Sequence, residues 1–235
     1  MKTQTTLLLL IAGLLCPAWS GIAADKASRD GWINLFDGKT LQGWEQHGGK
    51  AEYRVEDGAV VGKTVLNTPN SFLCTAKQYG DFILELEFKV AADMNSGVQF
   101  RSEVFDKETE VTIDGKVKKI PADRVHGYQY EIDPSSRAWS AGVYDEGRRG
   151  WLSDLKDKPE AQKAFKQGEW NKARIECQGD HIQTWINGVK AADFKDSMTP
   201  KGFIALQVHG IGKGKQPGEE VRWRNIRLKD LNKGK

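Results

Sequence analysis

The chain has 235 residues, with 35 basic and 32 acidic side chains and a formal charge of +3. Its basic residues are interleaved with acidic ones apart from an end rich in lysine (Lys229, Lys233, Lys235), so no cationic face for nucleic acid is implied. No apolar stretch approaches the ~20 residues that a spanning helix needs, and no membrane span is expected.

Residues 1–24 read as a signal peptide. Lys2 supplies the charged start, residues 7–15 the apolar core, and Ala18-Trp19-Ser20 or Gly21-Ile22-Ala23 a small-residue cleavage site. An exported protein, periplasmic or extracellular, is therefore expected. Leu14-Leu15-Cys16 resembles a lipid-attachment site, but the bulky Leu15 fits it poorly, so lipoprotein anchoring is the weaker alternative. Residues 25–235 contain no dividing linker and are expected to form a single domain. Of the cysteines, Cys74 and Cys177 survive processing; an oxidising compartment permits a disulfide, and two buried thiols are the preferred reading.

Further along, strands and tight turns alternate. Asp57-Gly58, Asp114-Gly115 and Asn187-Gly188 are hairpin signals, since both turn residues tolerate positive φ. Residues 81–90 place Phe82, Leu84, Leu86 and Phe88 on one face, and residues 219–228 alternate until a break near Asn225 that predicts a bulge. One short helix is expected at 159–165, with Pro159 at its start and Gly168 just beyond its end. Many strands, Gly-rich turns and no βαβ alternation predict an all-β protein, a two-sheet antiparallel β-sandwich with jelly-roll topology rather than a barrel. Trp32, Trp44, Trp170, Trp185 and Trp223 are assigned to the core or strand edges, and Trp139 and Trp151 to looser surroundings.

Three stretches alternate with period two: Val98-Gln99-Phe100-Arg101, Tyr128-Gln129-Tyr130-Glu131-Ile132 and Leu206-Gln207-Val208-His209. Their apolar members can pack inward while Gln99, Arg101, Gln129, Glu131, Gln207 and His209 share the opposite face as a candidate site. Asn95 precedes the first stretch at a turn and is a candidate for the cleft. The loop at 144–168 brings Tyr144, Asp145, Arg148, Arg149 and Trp151, a mixture of rings and bidentate groups suited to sugars. The four histidines lack ligand spacing, so no cofactor is expected; a divalent ion held by His209, Glu131 and Asp145 is the weaker alternative.

One motif goes further. Gly31-Trp32-Ile33-Asn34-Leu35-Phe36-Asp37-Gly38-Lys39-Thr40-Leu41-Gln42-Gly43-Trp44 resembles the opening of the 3-keto-disaccharide hydrolase family. Asn95-Ser96-Gly97-Val98-Gln99-Phe100-Arg101-Ser102, Gly168-Glu169-Trp170-Asn171, Trp185-Ile186-Asn187-Gly188, Gly202-Phe203-Ile204-Ala205-Leu206-Gln207-Val208-His209-Gly210 and Arg224-Asn225-Ile226-Arg227 extend the resemblance over nearly the whole mature chain. It implies a concanavalin A-like lectin/glucanase fold and action on 3-keto glycosides; that chemistry needs a base, an acid and donors to an enolate, and Glu131 and His209 are the candidates to divide base and acid roles, with Arg101 and Gln99 or Gln129 as donors. The family pattern commonly carries an acidic or polar residue where Val208 stands. The alternatives are a carbohydrate-binding module without catalysis and a structural or interaction domain. A sugar or keto-sugar is the expected ligand, and the oligomeric state is left open.

Overall fold

The computed structural model describes residues 30–92 and 94–232. The expected leader at 1–24, Cys16, Lys233 and Lys235 lie outside the described residues.

Two antiparallel sheets face each other. The front sheet runs edge to edge through Gly150–Ser153, Val143–Glu146, His126–Ile132, Ser96–Glu103, Gly202–Val208, Ser71–Tyr79 and Trp44–Gly48. The back sheet runs through Val189–Lys195, His181–Ile186, Asn171–Gln178, Phe82–Val90, Glu220–Asp230, Ala59–Lys63 and Glu52–Glu56, with Trp32–Asn34 also paired to Glu220–Asp230. A separate hairpin, Thr109–Ile113 with Lys116–Ile120, and one helix, Pro159–Ala164, complete the described elements. This is the expected two-sheet sandwich.

The alternation that predicted the strands decides what lies between the sheets. Phe82, Leu84, Phe88, Ile175, Trp223 and Leu228 from the back sheet meet Val98, Phe100, Tyr128, Tyr130, Ile132, Leu206 and Val208 from the front, all within 1% of complete burial. Each such aliphatic or aromatic side chain contributes about 1.5–3 kcal/mol, so this slab drives the two sheets together. Asp57, Asp114 and Asn187 adopt positive φ with the glycines after them, giving the three predicted hairpins. The register shift between Arg224 and Arg227, with Asn225 at φ 54°, is the predicted bulge.

Cys177 lies between the sheets, whereas Cys74 lies on the outer side of the front sheet in a small cluster with Phe72, Val125, Phe203 and Ala205. Both are free buried thiols, because the sheet separates them. Of the five tryptophans assigned to the core or strand edges, Trp223 is buried in the core. Trp32, Trp44, Trp170 and Trp185 are half-buried, and arginines cap Trp32, Trp170 and Trp185. No helix among the described residues is long and apolar enough to cross a membrane.

Candidate functional site

The three central front strands set the floor of a cleft. Antiparallel register aligns Glu131 with Gly97 and Gly97 with Gln207 in one row, and Tyr144, Gln129, Gln99 and Ala205 in the next. Gly97 has no side chain, and a Cβ there would fall 2.5 Å from the Gln129 side chain, so Gln129 can lie across the strand to reach Glu131. The resulting cleft, about 300 Å³, is lined by Asn95, Gln129, Glu131, Arg137, Tyr144, Glu146, Trp151, Gln207 and His209.

Glu131 is the chemical centre of this cleft. It is 5% exposed, and it accepts hydrogen bonds from Asn95 Nδ2 at 2.6 Å and Gln129 Nε2 at 2.8 Å. Burial pushes its carboxyl up to about 7, against the partial opposition of those two donors. Gln129 is itself oriented. Its Oε1 accepts from Gln99 Nε2 at 2.6 Å, and Gln99 Oε1 accepts from Ser102 Oγ at 2.7 Å. This chain of amides fixes which end of Gln129 faces the carboxylate.

Gln207 forms another wall. It is fully buried, and neither its Nε2 nor its Oε1 has a hydrogen-bond partner within the protein. An amide in that state costs about 1–3 kcal/mol unless something enters the cleft to meet it. His209 is exposed at the rim with Nδ1 2.8 Å from the Gly210 carbonyl oxygen, an arrangement that makes Nδ1 the donor and leaves Nε2 for the cleft. Trp151 packs edge-on against both Tyr144 and Trp139, at centroid separations of 5.3 and 4.9 Å, and the Arg137 guanidinium lies over Trp139 and Trp151. Val208 turns into the core at 1% exposure, so its departure from the family pattern does not face the cleft.

Some expected members are elsewhere. Arg101 does not share the face of Gln99. It adopts φ 46° in a bulge, where the register with Gly202–Val208 shifts between Phe203 and Ala205. The extra residue puts Ser102, not Arg101, beside Gln99. The Arg101 side chain, 1% exposed, donates to the Gly80 and Gly179 carbonyls, each at 2.8 Å, and to Asp81 at 3.0 Å, tying two turns together.

Asp145, Arg148 and Arg149 also lie outside the cleft. Along Val143–Glu146 the alternation turns Tyr144 and Glu146 to the cleft and Asp145 away from it. Asp145 is fully buried and binds Arg148 Nε at 2.8 Å and Arg149 Nε at 2.6 Å; Arg149 reaches on to Asp196 at 2.7 Å, and Arg148 to Thr199 at 2.5 Å. Tyr128 donates to the same Asp196. These charges clip loops together. Gln99 stands beneath the cleft, acting on it through Gln129.

Arg137 and Glu146 are lining residues that sequence reasoning missed. Glu146 falls in the segment expected as a loop, 144–168, which instead begins with the paired strands Val143–Glu146 and Gly150–Ser153, and strand alternation sets it beside Tyr144; Arg137 follows Asp133-Pro134, where Asp133 accepts from Ser135 and Arg137 and so shapes the turn. Burial raises the Glu146 carboxyl, with Arg124, 2.6 Å away, opposing. His126 is buried against Phe105 outside the cleft.

Among the described residues no group of three or more His, Cys, Asp or Glu is disposed to hold a metal ion. A larger cavity of about 800 Å³ lies on the outer face of the back sheet. There Glu85 accepts from Arg174 and Arg227, Glu87 accepts from Arg224, and Arg174 and Lys190 lie over the Trp185 ring. Its arginines and glutamates satisfy one another, in contrast to the orphaned Gln207.

Comparison with known proteins bears on this cleft. The sequence profile of the 3-keto-alpha-glucoside-1,2-lyase-like domain matches residues 31–229. A 3-keto-disaccharide hydrolase of Bacteroides thetaiotaomicron is 26% identical over 248 residues, covering 86% of this chain and 79% of the relative. Among solved structures, a provisionally assigned glycosyl hydrolase of Parabacteroides distasonis superposes with a TM-score of 0.57 at 22% identity, over 86% of this chain and 95% of that one. A carbohydrate-binding module from Bacillus subtilis gives a TM-score of 0.56 at 15% identity, over 82% and 98% of the two chains. At these identities the likeness to the solved structures is one of fold.

Proposed function

Because the chain belongs to the 3-keto-alpha-glucoside-1,2-lyase-like domain family, we propose that it is an exported carbohydrate-active enzyme that cleaves 3-keto glycosides in the Glu131 cleft. The observation that carries this reading is the buried Glu131 carboxyl, held at about 7 on the cleft floor, where it can take up and release a proton near neutrality. A ketone at C3 acidifies the C2 proton. Glu131 removes that proton, and the electron pair moves to the ketone oxygen as an enolate. Collapse of the enolate forms the C1–C2 double bond and expels the C1 substituent, whose oxygen takes a proton from Nε2 of the His209 imidazolium, leaving the Nδ1–H tautomer that the Gly210 carbonyl favours. Water then adds at C1 of the enone, giving up a proton to His209 while Glu131 returns its proton to C2, and the net result is hydrolysis.

Each role has a physical basis. Gln207 offers an N–H to the developing enolate oxygen, and that hydrogen bond relieves its cost of burial. Asn95 and Gln129 hold both carboxylate oxygens and so fix the direction of attack. Trp151 and Tyr144 supply apolar faces for the sugar ring. No step requires a metal ion, and activity in chelator is expected.

The decisive experiment incubates the purified protein with a nitrophenyl 3-keto-glucoside and with the unoxidised glucoside, in chelator and in added divalent metal. Release from the keto compound alone supports the reading. Release from both compounds overturns the elimination, and silence from folded protein overturns the enzyme. The carbohydrate-binding module among the similar folds then supplies the second reading, a non-catalytic sugar binder whose ligand meets Gln207.

A further inference from the structure

The Glu131 cleft opens at Asn95 and His209 into a second compartment of about 640 Å³, whose lining also includes Met94, Ile211, Gly212 and Lys215. We infer that this compartment receives the leaving group of the glycoside, and that the group it fits is an uncharged aromatic ring rather than a second sugar. The inference rests on the function proposed above. It adds the identity of the aglycone.

The placement follows from the two shared residues. Asn95 holds Glu131, which faces the ring carbon losing its proton, and His209 presents Nε2 where the departing oxygen collects one. A bond joining a ring in the cleft to a substituent in the compartment therefore passes between the two groups that act on it.

The chemistry of the walls selects the substituent. The Glu131 cleft has Trp151 and Tyr144, whereas among the described residues no Trp, Tyr or Phe lines the compartment. Pyranose rings are recognised by such aromatic faces. An aryl ring instead packs well on a thioether and a branched aliphatic side chain, which Met94 and Ile211 provide. Among the described lining residues Lys215 and Glu219 carry opposite charges at the rim, so neither sign dominates there to hold a phosphate or carboxylate. The remaining wall is glycine backbone at Gly210, Gly212 and Gly214 together with Thr64 and Gln216, and a Cβ added at Gly212 would meet nothing within 4 Å.

That open position gives the test. Gly212→Trp should fill the compartment without straining the backbone, and its kcat/KM for a nitrophenyl 3-keto-glucoside should fall about tenfold, with methyl 3-keto-glucoside within about twofold of wild type. Comparing each substrate with itself in the two proteins cancels the intrinsic reactivity of the leaving groups. As inhibitors of methyl 3-keto-glucoside turnover, phenyl glucoside should bind at least about fivefold more tightly than methyl glucoside or an unoxidised glucosyl disaccharide, and Ile211→Ala should erase that advantage. Equal inhibition, a tighter disaccharide, or an equal loss on both substrates would overturn the inference. If no keto compound is turned over, the proposed enzyme fails separately. Titration of tryptophan fluorescence with phenyl and methyl glucoside then decides the compartment: a phenyl preference lost in Gly212→Trp upholds it, and equal affinities overturn it.

Discussion

Glu131→Gln should change the pH dependence of stability by an amount that can be worked from the fold. In the unfolded chain a glutamate ionises near 4.5, whereas burial holds Glu131 at about 7. Between those values the folded state binds more protons than the unfolded one, so wild-type stability is fully present below about pH 4.5 and is lost as pH rises through 7. The shift of about 2.5 units at 1.36 kcal/mol per unit gives a loss of about 3 kcal/mol. Glutamine does not ionise. It introduces an offset instead, because its NH₂ must face a donor on Asn95 or Gln129, and this costs about 1–2 kcal/mol at every pH. Urea denaturation of both proteins from about pH 4 to about pH 8, followed by tryptophan fluorescence, should therefore show the difference between them moving by about 3 kcal/mol in favour of the variant. Parallel curves, differing by a change under about 1 kcal/mol, would refute the buried carboxyl as the source of the cleft's chemistry. The same ionisation should appear in wild-type turnover as a rise in kcat/KM with an apparent pKa of about 7.

Arg101→Met should cost about 3 kcal/mol in urea denaturation, since it leaves the carbonyls of Gly80 and Gly179 without their buried donor. Its kcat/KM should stay within about threefold of wild type, and lost turnover at unchanged stability would return Arg101 to the site. Gln207→Leu should do the reverse, adding about 1–2 kcal/mol of stability by removing an unpaired amide while lowering kcat/KM at least about tenfold. A fall in its stability would mean that ordered water already satisfies the amide. Gly97→Ala drives a methyl into Gln129, whose departure strips a donor from the Glu131 carboxylate; the pH–rate profile should move to higher pH, and an unmoved profile would show that Gln129 does not set the ionisation.

The candidate site was readable in the sequence wherever one strand acted alone. Gln129 with Glu131 and Gln207 with His209 fell on one face because successive side chains of a strand point to opposite sides. The same rule failed one residue past a bulge. Nothing around Arg101 announces positive φ, which is set by the mismatch between Ser96–Glu103 and the strand beside it, so its alternation inverts unseen. Arg148 and Arg149 misled for another reason: a sequence shows which charges are present but not whether Asp145 and Asp196 already occupy them.

By itself the sequence determined most of the strands, the three hairpin turns, the short helix and the inward-facing core, and its motifs carried the family. All of these follow from backbone preferences and side-chain periodicity within a few residues. Tertiary structure alone decided that Glu131, Gly97 and Gln207 stand in one row, that Gln207 has no partner, and that Cys74 and Cys177 lie on different sides of the front sheet. It also decided that burial lifts Glu131 to about 7. The physical reason is range: register, burial and charge pairing depend on which distant strands and loops meet, and no local pattern encodes the neighbour across a sheet.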